Sequence, residues 1–112
     1  ESIFSYRAVG LHNVDYVYLK QVFFQVEEHI EAIDQTIVPK LDRDISRLNP
    51  IELSILRLAT YELMSVLEVP YRVVLDEAVE LTKKFGAQDG HKYVNAVLDK
   101  LAIDLRKAEI SG

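Results

Sequence analysis

The sequence predicts an all-α fold, a small bundle of about five or six helices. Three observations predict it. Only 4 glycines and 3 prolines interrupt 112 residues. Apolar residues recur at helical rather than alternating spacing over long stretches. The breakers that do occur stand where one helical pattern stops and the next begins.

Residues 1–13 mix apolar and polar residues without a clear period and read as a short helical or extended lead-in. Asn13 is a candidate N-cap for a helix over 14–37, with Val14, Tyr18, Val22, Val26, Ile30, Ile33 and Ile37 on one stripe. The first half of that helix adds Val17, Leu19, Phe23 and Phe24 on other faces. A helix apolar on more than one side must be covered on more than one side. A partner is therefore expected over this helix, or self-association through its exposed face.

Pro39 breaks or kinks the helix, and a short helical piece through Leu41 and Ile45 follows. Asn49-Pro50-Ile51-Glu52 is a strong helix start: Asn at the N-cap, Pro at the first helical position and Glu three residues after the cap. The helix from Pro50 to about Leu67 is apolar on most faces and is expected to be central. After Pro70, a helix from Tyr71 to Phe85 presents Val74, Ala78, Leu81 and Phe85 as its apolar face, with Glu80 and Lys84 paired outside. Gly86 is a natural left-handed closing residue. Asp89 is a candidate N-cap for a last helix striped by Val94, Val97, Leu98, Leu101 and Leu105. Lys100, Arg106 and Lys107 lie towards its C-terminus, where positive charge suits the helix dipole.

The length suits one compact domain. There is no apolar run of about eighteen residues that could cross a membrane, and no cysteine to form a disulfide or thiolate metal site. An intracellular location fits a cysteine-free chain. The net charge is −5, from 18 acidic and 13 basic residues. The excess is spread along the chain and no Lys/Arg run exceeds two, so charge alone does not mark a stand-alone nucleic-acid binder.

No arrangement of enzymatic residues emerges. His12, His29 and His91 are far apart and outside any metal-binding spacing, and His29 reads as part of a solvated helix face. Asp76, Glu77 and Glu80 suit the dipole near a helix start better than catalysis. The serines lack a nucleophile-elbow context, and there is no glycine-rich phosphate loop. The chain is read as a non-enzyme that needs no cofactor. One segment is less ordinary. The turn from Phe85 to Tyr93 has an aromatic at each end, polar groups, basic residues and a helix N-terminus, the ingredients for stacking on unpaired bases and holding phosphate. The competing reading is an inter-helix turn with Phe85 in the core.

The wording I-L-R-L-A-T-Y-E-L at 55–63, V-P at 69–70, L-D-E-A-V-E-L-T-K-K-F-G at 75–86 and H-K-Y-V-N-A-V-L-D-K at 91–100 resembles the NusB family of bacterial transcription antitermination factors. The resemblance runs from about Val14 to Ala102. Gly90 stands where the family commonly has Ser, and Ala96 where it commonly has Gly. The resemblance implies one all-helical domain over 1–112, with an N-terminal subdomain of about 1–48 and a C-terminal subdomain of about 49–112. It also implies a cytoplasmic protein that pairs with NusE, a ribosomal small-subunit protein, and binds the single-stranded boxA element of nascent RNA. That complex helps RNA polymerase read through terminators, notably in ribosomal RNA operons.

Carried over by motif, the RNA surface would include Phe85, Asp89, Lys92 and Lys40, and contacts to NusE would fall near Glu52 and Tyr93. Each of the best-matched positions has a structural alternative: Phe85 in the core, Asp89 as N-cap, Glu52 as capping-box acid and Tyr93 at the edge of the last stripe. Family members begin with an additional arginine-rich helix, whereas residues 1–13 hold only Arg7. The N-terminal subdomain is therefore expected to be incomplete, in a shortened form that pairs with NusE but does not hold RNA alone. Two other readings are an RNA-positioning domain of an RNA cytosine methyltransferase and a helical protein-interaction domain without an RNA role. The polar ending K-A-E-I-S-G favours a free-standing factor.

Overall fold

The computed structural model describes residues 16–111, with side chains from residue 21 onward. The lead-in, Asn13 as cap, and the side chains of Val14, Val17, Tyr18 and Leu19 lie outside the described residues. Among the described residues the order is α1 (Tyr16–Glu28), α2 (Ile30–Ile37), 3-10 turns at Val38–Lys40 and Ile45–Arg47, α3 (Pro50–Ser65), α4 (Tyr71–Phe85), α5 (Gly90–Leu105) and α6 (Lys107–Ser111). No strand occurs among them, so the all-α expectation holds.

The helix expected over 14–37 is two helices, broken at His29 without Gly or Pro. The His29 N–H is shared between the Gln25 and Val26 carbonyls at 3.0 and 3.2 Å. The imidazole Nδ1 also bonds the Gln25 carbonyl, at 2.9 Å. His29 itself leaves the helical angles, at φ −114 and ψ 21, and the regular ladder ends there. The break leaves both parts of the stripe usable: Val22 and Val26 on α1 and Ile33 and Ile37 on α2 are all buried. Phe23 and Phe24, the described part of the second apolar face of α1, stay 51% and 57% exposed.

α3 is central, as its composition predicts, and packs against α1, α2, α4 and α5. Asn49 caps it, with Oδ1 accepting the Ile51 and Glu52 N–H groups at 2.9 and 3.2 Å. Ile55, Leu56, Leu58, Ala59 and Leu63 meet Val74, Leu75 and Ala78 of α4 and Val94, Val97, Leu98, Leu101 and Ala102 of α5 in one buried cluster. A fully buried aliphatic side chain contributes about 1.5–3 kcal/mol, so this three-helix contact dominates stability. Arg57 on α3 ties down α2 through a bidentate pair with Asp34, at 2.9 and 2.8 Å.

Three local expectations change. α3 ends at Ser65 rather than Leu67. Glu80 reaches Lys83 at 3.8 Å rather than Lys84. Arg106 does not neutralise the end of its own helix. It is 4% exposed and donates Nε to Leu63 O at 2.8 Å, Nη1 to Val69 O at 2.8 Å, and Nη2 to Glu62 O and Val66 O at 3.1 and 3.0 Å. The last turn of a helix leaves carbonyls without intrahelical donors. One guanidinium fork supplies a donor to Leu63 and Val69 and a second donor to Glu62 and Val66, which also accept the Val66 and Val69 N–H groups.

Candidate nucleic-acid and partner interface

α3 and α4 run antiparallel, so the start of α3 stands beside the end of α4 and the turn into α5. Ile55, Leu58, Ala59 and Glu62 of α3 face Val74, Ala78 and Leu81 of α4 along their length. At the open end, Phe85 lies level with Pro50 and Ile51. It walls a shallow groove with Ser54, Ile55 and Leu81. The core alternative for Phe85 fails: the ring is 59% exposed, and the buried face of α4 is Val74, Leu75, Ala78 and Thr82. The reason is geometric. α3 begins opposite Phe85, and no described residue of α3 extends beyond to cover the ring.

The turn itself is built differently from its sequence expectation. Gly86 closes α4 by donating its N–H to Thr82 O at 2.8 Å, but its backbone is extended, with φ −88 and ψ −178. The left-handed residue is Asp89, at φ 65. Asp89 occupies the N-cap position of α5 yet makes no side-chain capping bond. A capping side chain needs an extended-region backbone, and the left-handed angle throws the carboxylate outward instead. There it approaches Lys92 Nζ at 3.6 Å, with both groups well exposed. Such a pair contributes little to stability.

Glu52 is not a capping-box acid. Its Oε2 accepts the Ala87 N–H at 2.9 Å, reaching from the first turn of α3 to the middle of the α4–α5 turn. Space for the carboxylate comes from two glycines. A Cβ at Gly90 would fall inside it, and one at Gly86 would come within 3.1 Å of Oε2. The missing side chain at Gly90 is thus what makes room for the Glu52 carboxylate in this chain.

Tyr93, one turn into α5, is half-buried, with the Arg43 guanidinium 4.3 Å above its ring. Arg43 is fixed in turn by Asp42, at 2.8 and 3.3 Å. Burial pushes the Tyr93 hydroxyl above its usual range, and the Asp42 carboxylate adds to this. Arg43 holds the Asp42 carboxyl below its ordinary value. The 41–44 loop is therefore packed on the face that carries Tyr93. Sequence reasoning missed Asp42, Arg43 and Ile51. No motif marks them, and only the meeting of distant elements reveals them.

Phe85, Asp89, Lys92, Glu52 and Tyr93 gather at one end of the bundle. Lys40 does not join them. It pairs with Asp104 at 2.6 Å, at the opposite end of α5 and about 18 Å along the helix axis from Lys92. Chemically, the end of the bundle offers an open aromatic face, an exposed ammonium on Lys92 and a turn bonded to α3 through Glu52. No grouping of His, Asp or Glu suited to a metal occurs among the described residues.

Residues 3–103 match the NusB family model. A transcription antitermination protein NusB from Pasteurella multocida (strain Pm70) is 54% identical over 92 residues, which cover 82% of this chain and 64% of that protein. The protein of the same name from Coxiella burnetii (strain Dugway 5J108-111) is 54% identical over 97 residues, covering 87% and 70%. That from Legionella pneumophila (strain Corby) is 46% identical over 102 residues, covering 91% and 69%. The chain therefore spans roughly two thirds of the length of these relatives.

Proposed function

Because the chain belongs to the NusB family, we propose that it acts in transcription antitermination by pairing with NusE, and that the pair binds boxA single-stranded RNA through the turn between α4 and α5. The observation that carries this reading is the exposed Phe85 ring at one end of the α4–α5 turn and the exposed Lys92 side chain at the other, on a turn that Glu52 bonds to α3. An exposed aromatic on a rigid support is a stacking platform for an unpaired base, and a nearby ammonium offsets phosphate charge. NusE docks near Glu52 and Tyr93, at the same end of the bundle. Pairing compensates for the charge of this chain, whose net −5 opposes RNA binding by itself. Lys40 contributes to RNA only by leaving Asp104.

The test is retention of NusE by the immobilised chain, followed by boxA titrations with and without NusE at two salt concentrations. Retention of NusE and RNA binding by the pair alone, weakening as salt rises, is the expected result. Failure to retain NusE, or RNA affinity indifferent to its presence, contradicts the proposal.

A further inference from the structure

Glu52 is 7% exposed. A buried carboxylate requires hydrogen bonds or a counter-charge to offset its lost hydration. Among the described residues, the hydrogen bond it accepts comes from Ala87 N–H at 2.9 Å. The remainder of its seat is made by what is missing from Gly86 and Gly90. A Cβ on Gly86 would stand 2.8 Å from Thr82 Cγ2 and 3.1 Å from Glu52 Oε2, and one on Gly90 would overlap the carboxylate. Backbone angle does not require either glycine, because the left-handed position of the turn is held by Asp89. Their shared property is room for one side chain from another helix.

We propose that Glu52 is a positioning residue for the RNA-facing turn: seated between Gly86 and Gly90 and bonded to Ala87, it fixes the backbone that presents Phe85 and Asp89. This rests on the RNA reading of the turn and goes beyond it. Glu52 acts through Ala87, without touching RNA, and the start of α3 sets the shape of the binding surface.

The test compares Glu52→Ala, Glu52→Gln and Gly90→Ala by amide hydrogen exchange at Ala87 and by boxA affinity of the NusE-paired chain. Gly90→Ala is the informative variant, since it displaces the carboxylate while leaving its charge on α3. It also carries the test if Glu52→Ala does not fold. Ala87 exchange is expected to speed by about tenfold or more in Glu52→Ala and Gly90→Ala, with RNA affinity falling by about tenfold in both. Glu52→Gln, whose side-chain carbonyl still accepts the Ala87 N–H, is expected to keep Ala87 exchange near the parent, and its RNA affinity, compared at saturating NusE so that altered pairing near Glu52 is not read as an altered turn, is expected to follow. Unchanged Ala87 exchange in Glu52→Ala overturns the seat. Faster exchange with unchanged RNA affinity overturns the positioning role, and so does a Gln variant that loses RNA while Ala87 stays protected. Absence of RNA binding by the parent pair overturns the functional reading and the positioning role together, while the exchange rates judge the seat separately.

Discussion

Arg106 donates from Nε to the Leu63 carbonyl at 2.8 Å, joining the end of α5 to the end of α3 across 43 residues. With its bonds to Glu62, Val66 and Val69 it serves as the C-terminal cap of the central helix. Arg106→Ala removes the donor of the Leu63 and Val69 carbonyls and the second donor of Glu62 and Val66. It is expected to cost about 3 kcal/mol, a fall in Tm of roughly 15 °C for a domain of this size. Arg106→Lys keeps the charge but not the fork, and is expected to recover only part of the loss. Thermal melts of the two variants check this.

Glu109 extends the same cap. Its Oε1 accepts from Arg106 Nη1 at 2.6 Å and its Oε2 from the Tyr71 N–H at 2.8 Å. The Tyr71 N–H, and then Arg106, lower its pKa from the usual 4.5. A lowered folded value means the carboxylate contributes stability above about pH 4.5, and that contribution is lost as pH falls through the folded value. Glu109→Gln is therefore expected to flatten the loss of stability below pH 4.5. Denaturant midpoints measured across that range give the comparison.

Phe23 and Phe24 on α1 are exposed to water. Exposed aromatics beside a groove favour association, and Phe23 lines one in which Val26, Ile30 and Leu58 stand with Glu27, Ser54 and Arg57. Sedimentation is expected to show mass rising with concentration, and Phe23→Ser with Phe24→Ser to abolish the rise. A stable monomer at high concentration contradicts it.

Asp89 projects its carboxylate from a left-handed backbone at the proposed RNA surface. Asp89→Asn keeps the residue class that best tolerates this angle while removing a charge that repels phosphate. Stability is expected to change by less than about 0.5 kcal/mol, while boxA affinity of the NusE-paired chain rises. Equal affinities for the two forms contradict this.

What the sequence made legible was chemistry that closes within a few residues. Asn49 meets Ile51 and Glu52, two and three positions away, and the Val94–Leu101 stripe needs only helical period. Glu52 and Arg106 escaped because their partners lie 35 and 37 to 44 residues off. Their local roles, capping box and dipole, were reasonable and were displaced by tertiary bonds. The first helix breaks at His29, which is no breaker residue, through a backbone departure that periodicity does not register. Gly86 closes α4 without the expected left-handed angle, which Asp89 takes instead, and the carboxylate of another helix decides where the turn needs room. Phe85 continues the apolar period of α4, and only the starting point of α3 leaves it open. The site residues became a group, without Lys40, once α3 and α4 were known to be antiparallel.

The most direct test of the central claim is boxA titration of the NusE-paired chain carrying Phe85→Ala, against the parent at one fixed salt concentration. Loss of a stacked base costs about 1–3 kcal/mol, so affinity is predicted to fall by about tenfold or more, with Tm and NusE retention unchanged because the ring is 59% exposed. Equal boxA affinity for the variant and the parent would contradict the assignment of this turn as the RNA surface.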